Sequence, residues 1–133
     1  MHSGTFTVLV ADDEPHILRV AVLKLSRAGF HVLKAHDGEA AWEQVSSHPV
    51  DLVVTDYHMP GLTGLDLAHK MCQDERLAAI PVILLTAKSF NICQQDLVGS
   101  NVVSLLSKPF SPRELQERVE AELETRARQR IGT

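Results

Sequence analysis

Basic residues are in deficit: 13 Lys and Arg stand against 17 Asp and Glu, a formal net charge of −4. A domain that grips nucleic acid directly carries a basic footprint, so direct nucleic-acid binding is not expected. No apolar run approaches the roughly 20 residues that span a membrane. Residues 1–10 have neither a basic start nor a cleavable apolar stretch, so no signal peptide is expected. Only two cysteines occur, Cys72 and Cys93, with no CxxC pair. That usage fits reduced thiols in the cytoplasm, and both read as small buried hydrophobes in helices. No repeat or low-complexity stretch interrupts the chain. No GxGxxG or GxxxxGK[ST] follows the first strand, which argues against a nucleotide cradled by a glycine loop.

What is present is 133 residues, 44% hydrophobic and 23% charged, the make-up of one ordinary globular domain. Two element types alternate from end to end. Residues 7–11 read as a buried strand, and Pro15 opens a helix with Ile17, Leu18, Ala21, Val22 and Leu25 on one face, ended by Gly29. Residues 31–35 read as a weaker strand with polar ends, an edge, and Asp37 caps a short helix holding Ala41, Trp42 and Val45. A third strand is expected over 50–55, followed by a helix beginning at Thr63. A fourth strand is expected over 81–86, then a poorly periodic helix over 88–98. A fifth strand follows over 102–107. Ser111 and Glu114 form a capping box with Pro112 at the first helical position, and Leu115, Val119 and Leu123 line the last helix. Five such pairs with short connections imply an α/β fold, a doubly wound open parallel sheet with helices on both faces. A closed barrel would need eight pairs and about twice the length.

In such sheets function gathers beyond the carboxyl ends of the strands. The first strand ends in Asp12, Asp13 and Glu14, the third in Asp56, the fourth in Thr86, and the fifth in Ser107, Lys108 and Pro109. The second offers only His36 and Asp37. Carboxylates crowded together repel one another unless a cation intervenes. All-oxygen ligands favour a hard, partly hydrated ion, hence Mg2+ rather than zinc. A carboxylate nucleophile, a divalent metal, a lysine and a hydroxyl together describe phosphoryl transfer to an aspartate. The plainer alternative is an ion-pair network of Asp12, Asp13, Asp56 and Lys108 without chemistry. Burying so much unbalanced negative charge for stability alone is costly.

From about residue 5 to 125 the chain resembles the receiver domains of two-component response regulators, the chemotaxis regulators among them. The resemblance is carried by Val8-Leu-Val-Ala-Asp-Asp-Glu14, Val53-Val-Thr-Asp-Tyr-His-Met-Pro-Gly61 with Gly64, Leu84-Leu-Thr-Ala87 and Lys108-Pro-Phe110, specific in this order and spacing. It implies a flavodoxin-like (βα)5 fold with strand order 2-1-3-4-5. It implies that Asp56 accepts a phosphoryl group from a sensor histidine kinase or a histidine phosphotransfer protein in a phosphorelay. Mg2+ would be held by Asp12, Asp13, Asp56 and the backbone carbonyl of His58. Lys108 would contact the phosphoryl group, and Lys108-Pro109 would be cis. Thr86 and the Ala87 amide would turn toward the phosphate and re-set the face made by the fourth helix, fifth strand and last helix, where an output domain or partner protein docks. The family is a signalling switch that assists its own phosphorylation and dephosphorylation, not a turnover enzyme.

Three departures from the family pattern stand out. The position three before the lysine, usually an aromatic switch residue, is Leu105. Asn101-Val-Val-Ser104 replaces the usual Gly-Ala-Asp-Asp, and Asn tolerates the left-handed backbone that Gly would give. Val102 and Val103 read either as ordinary strand residues or as an apolar docking surface. His58 and Lys88 stand where the family tunes phosphate loss, and their bulk suggests an intermediate phospho-lifetime. A single domain over 1–133 is expected, with 126–133 a charged helical tail or the start of a linker. Two rivals remain: a phosphorylation-independent pseudo-receiver acting as an interaction module, and a small phosphatase. The latter would want Asp-x-Asp after its first strand, where the acids here are adjacent.

Overall fold

The computed structural model describes residues 5–87 and 94–131, the side chains of 94 and 128–131 excepted. Lys88 and Cys93 lie outside the described residues. The elements are β1 (Thr7–Ala11), α1 (Pro15–Arg27), β2 (His31–Ala35), α2 (Gly38–Ser47), β3 (Leu52–Asp56), α3 (Gly64–Met71), α4 (Glu75–Ala78), β4 (Val82–Ala87), α5 (Gln94–Leu97), β5 (Val102–Lys108) and α6 (Pro112–Ile131). All strand pairs are parallel, in the order β2-β1-β3-β4-β5.

Burial on both faces explains why the inner strands read as unbroken apolar runs. Successive side chains point to opposite sides. Val8, Val10, Leu52, Val54, Ile83, Leu85 and Leu106 meet Leu18, Ala21 and Leu25 of α1 and Leu115, Val119 and Leu123 of α6. Leu9, Ala11, Val53 and Val82 meet Ala41 and Val45 of α2, Leu67, Ala68 and Met71 of α3, and Leu77 of α4. The sheet therefore separates two apolar layers.

The expected helix starts hold. The Asp37 side chain accepts from the Ala40 amide, and Ser111 and Glu114 form the reciprocal capping box. Thr63 and Asp66 form a second such box at α3, fixing where that helix leaves the β3 loop. The short helix α4 was not anticipated; Asp74, whose carboxylate takes the Arg76 and Leu77 amides, starts it. Of the helix expected over 88–98, the described part is α5, ended by Gly99 at φ +79°. α6 continues to Ile131, so the tail is helical as far as it is described.

The fifth strand adds detail at two positions. Asn101 does not adopt a positive φ; Gly99 does so two residues earlier. The Asn101 amide instead donates to the Ile80 carbonyl at 2.7 Å, closing the floor between β4 and β5. Val103 is no regular strand residue: Val82 pairs with Val102 but Ile83 with Ser104, which leaves Val103 at a bulge, half exposed. Beyond the bulge Leu106 is buried, while Leu105 is 41% exposed.

Gly64 sets the distance between α3 and the end of β3. A Cβ there would lie 2.4 Å from the Asp56 carbonyl oxygen and 2.8 Å from Leu84 Cδ1. Backbone cannot yield as a flexible side chain does, so Gly64→Ala should lower unfolding stability by roughly 2–4 kcal/mol. Urea denaturation monitored by circular dichroism measures this, and an unchanged midpoint would contradict the close approach.

Candidate functional site: an acidic pocket with one lysine

Parallel strands deliver their carboxyl ends to one edge, and β1 and β3 are neighbours there. Asp12 follows β1 directly, and its amide donates to the Ala35 carbonyl at the end of β2. Asp56 closes β3. The loop after it is pinned by the Tyr57 amide on the Leu85 carbonyl and the Gly64 amide on the Tyr57 carbonyl. Lys108 closes β5, beside the cis Lys108-Pro109 peptide. Its Nζ stands 3.0 Å from Asp12 Oδ2 and 3.3 Å from Asp56 Oδ2. Three separate strands, β1, β3 and β5, thus bring the acids and the lysine together.

Electrostatics at this edge are unbalanced. Asp12 is without solvent exposure and Asp56 nearly so. Burial raises the Asp56 carboxyl to about 6, helped by the neighbouring Asp12 charge and opposed by Lys108. The Asp12 carboxyl is also raised, chiefly by burial and despite hydrogen bonding from the Glu14 amide and Lys108. Burial works against the Lys108 cation, but its bonds to Glu14 and Asp12 and the fields of Asp12 and Asp56 outweigh that and hold it above its ordinary value. One lysine is ion-paired with three acids, Asp12, Glu14 and Asp56.

A hard cation fits what is left over. Asp12, Asp13 and Asp56 each offer a carboxylate oxygen, and the three oxygens lie within 4.8 Å of one another. Asp12 Oδ2 is buried and, although ion-paired with Lys108, has no aligned hydrogen bond. Oxygen donors with one exposed member, Asp13, suit a partly hydrated Mg2+. The His58 side chain is exposed and its ring stands edge-on to Tyr57, 5.0 Å between centroids. Thr86 is buried at the end of β4, with Ala87 exposed beside it. Leu105 lies on edge strand β5 rather than in the pocket.

Sequence reasoning assigned no role to Glu14. Its Oε1 takes the one aligned hydrogen bond described from Lys108 Nζ, at 2.8 Å. Glu14 is also the N-cap of α1 but makes no side-chain cap bond, so its carboxylate is available to the lysine. The signal was the third acid in the Asp12-Asp13-Glu14 run.

The model of the response regulator receiver domain family matches residues 8–120. The chain belongs to that family. Response regulator GtcR of Aneurinibacillus migulanus is 38% identical over 117 residues, 88% of this chain and 47% of GtcR. Chemotaxis protein CheY1 of Helicobacter pylori is 34% identical over 120 residues, 89% of this chain and 97% of CheY1. The chain therefore spans about half the length of the first relative and nearly all of the second. Among solved structures, the receiver domain of Francisella response regulator 1452 superposes with a TM-score of 0.79 at 30% identity, covering 91% of this chain and 98% of that one. Receiver domains are signalling switches of two-component systems, and the flavodoxin-like (βα)5 fold is theirs. No helix among the described residues is long and apolar enough to cross a membrane.

The raised Asp56 carboxyl has a consequence for stability. Its folded-state value of about 6 lies above its ordinary 3.8, so its stabilising contribution is complete below about pH 4 and is lost as pH rises through about 6. In EDTA near pH 8, Asp56→Asn should therefore be more stable than wild type by about 1–3 kcal/mol, a melting temperature higher by roughly 5–10 °C. The gap should narrow as the pH falls toward 5. Millimolar Mg2+ should raise the wild-type melting temperature but not that of Asp56→Asn. Calorimetry at the two pH values, with and without Mg2+, checks all three expectations.

Proposed function

We propose that this receiver domain takes a phosphoryl group onto Asp56 from the phosphohistidine of a sensor kinase or phosphotransfer protein, with Mg2+ bound by Asp12, Asp13, Asp56 and the His58 carbonyl. The observation that carries the reading is the juxtaposition of a buried aspartate, two further acids and one lysine at the end of a parallel sheet. Asp56 Oδ attacks phosphorus as the donor's N–P bond breaks, and the bonding pair leaves with the imidazole. Lys108 Nζ, within reach of Asp56 Oδ2, would shift onto the phosphoryl oxygens. The cation would neutralise charge between acid and phosphoryl group. Glu14 and Asp12 hold the lysine over the pocket beforehand, so little reorganisation is needed.

The added phosphate brings charge and acceptor oxygens to the strand ends. Thr86 and the Ala87 amide would donate to it, favouring one of two arrangements of the segment that follows β4. The altered face, formed by that segment, β5 and α6, would then engage an output domain or a partner protein. With Leu105 in place of the aromatic, no ring swings inward; Thr86 and the backbone carry the change. The apolar hollow of Ile17, Val20, Pro109 and Phe110 beside Lys108 supports docking of the phosphodonor there. His58 and Lys88 would set the phospho-lifetime at an intermediate value. The reading takes residues 1–133 as one receiver domain acting in the cytoplasm, whose chemistry is confined to its own phosphorylation and dephosphorylation.

Leu105 favours one alternative, a receiver fold that docks without phosphorylation. Intact mass after incubation with acetyl phosphate and Mg2+ separates the two. Wild type should gain one phosphoryl group, lost in EDTA and in Asp56→Asn, and Lys108→Ala should gain it far more slowly. A folded wild type that gains nothing would remove the switch and leave the interaction module.

A further inference from the structure

α5 is thinly anchored for an element that must report on a switch. None of the residues 95–100 is buried: Leu97 and Ser100 are half-buried, and Val98 is 76% exposed. The described bonds include those of one short turn, Val98 amide to Gln95 carbonyl and Ser100 amide to Leu97 carbonyl, the Ser100 hydroxyl adding a bond to the same Leu97 oxygen. Such a turn does not hold its own position. A side chain from α3 reaches it: His69 Nε2 lies 2.9 Å from the Asp96 carbonyl oxygen, 27 residues away in sequence. A carbonyl oxygen only accepts, so the imidazole donates from Nε2. At the far end of the segment, Asn101 is buried and fixed by its amide on the Ile80 carbonyl, with Met71 Sδ of α3 at 3.9 Å.

α3 is also the helix whose start touches the phosphoacceptor. The Gly64 amide is bonded to the Tyr57 carbonyl, and Gly64 has no clearance from the Asp56 carbonyl oxygen. One rigid helix thus joins the backbone of Asp56 to the position of α5. This path is independent of Thr86 and does not use Leu105.

We propose that His69 is a positioning residue of the switch, a latch that holds α5 in its phosphate-free arrangement by donating to the Asp96 carbonyl. The inference rests on the proposed phosphorylation of Asp56 for its signalling consequence, while the latch itself exists without phosphate. An exposed hydrogen bond of this kind biases a two-state equilibrium by about two- to fivefold. Loss of the latch frees α5 to sample the other arrangement.

Amide hydrogen exchange of the metal-free, unphosphorylated chain tests the latch. In His69→Ala the Val98 and Ser100 amides should exchange about two- to fivefold faster, with Val54 and Ile83 in the sheet unchanged. His69→Gln, whose side-chain amide places a donor near the Nε2 position, should restore wild-type exchange. Equal exchange in wild type and His69→Ala, or a Gln variant as loose as the Ala variant, would overturn the latch. With acetyl phosphate and Mg2+, His69→Ala should acquire its Asp56 adduct about two- to fivefold faster than wild type, and His69→Gln at the wild-type rate. Altered exchange with an unaltered adduct rate would overturn the positioning role. If wild type forms no adduct, the phosphorylation reading fails, and the exchange data alone decide the latch.

Discussion

Two aspartates buried side by side, with a single lysine between them, are the constraint around which the rest of the molecule is organised. Like charges in a poorly solvated place are unfavourable, and the raised carboxyl of Asp56 records that cost. The arrangement persists because the sheet over-determines it. β1 and β3 are adjacent, their ends cannot separate without breaking the ladder, and Lys108 reaches both from β5. A pocket that is electrostatically dissatisfied by itself is one whose energy falls most when positive charge enters. The same dissatisfaction keeps the lysine ionised and in place.

The fold was legible because it depends on features that a linear pattern carries. Continuous apolar runs announce strands buried on both faces, and Asp37, Ser111 and Pro15 mark helix starts by local chemistry. The pocket was legible for a related reason. In a parallel sheet, the residue after each strand is delivered to a common edge whatever the rest of the sequence does. What escaped depends on geometry that no local pattern encodes. The bulge at Val103 arises from the register between β4 and β5, not from valine itself. Asn101 suggested a backbone role by composition, yet its side-chain amide does the work by closing the floor at Ile80. Glu14 carried no role in the linear pattern, and only the path of Lys108 across the pocket gives its carboxylate a partner. His69 carries no motif at all; its relevance comes from what lies opposite.

The position of Leu105 also follows from the bulge. One extra residue in β5 leaves Leu106 facing the layer of α1 and α6 and turns Leu105 outward. Arg118 of α6 donates to the Leu105 carbonyl at 3.0 Å and to Ser104 Oγ, tying the strand to α6 through one backbone and one side-chain oxygen. The strand is therefore held by groups that do not depend on which side chain stands at 105. A leucine can replace a ring there without loosening β5, although it cannot reproduce what a ring does by rotating.

The division of the interior into two apolar layers has a further meaning. The layer of α1 and α6 lies on one side of the sheet and the layer of α2 and α3 on the other, with the strands as a common wall. A change of side-chain volume in one layer is absorbed by its own helices before it crosses that wall. Surfaces on opposite sides of the molecule can then diverge at different rates under different selective demands. The acidic edge, where every strand ends, is the one region that must satisfy both.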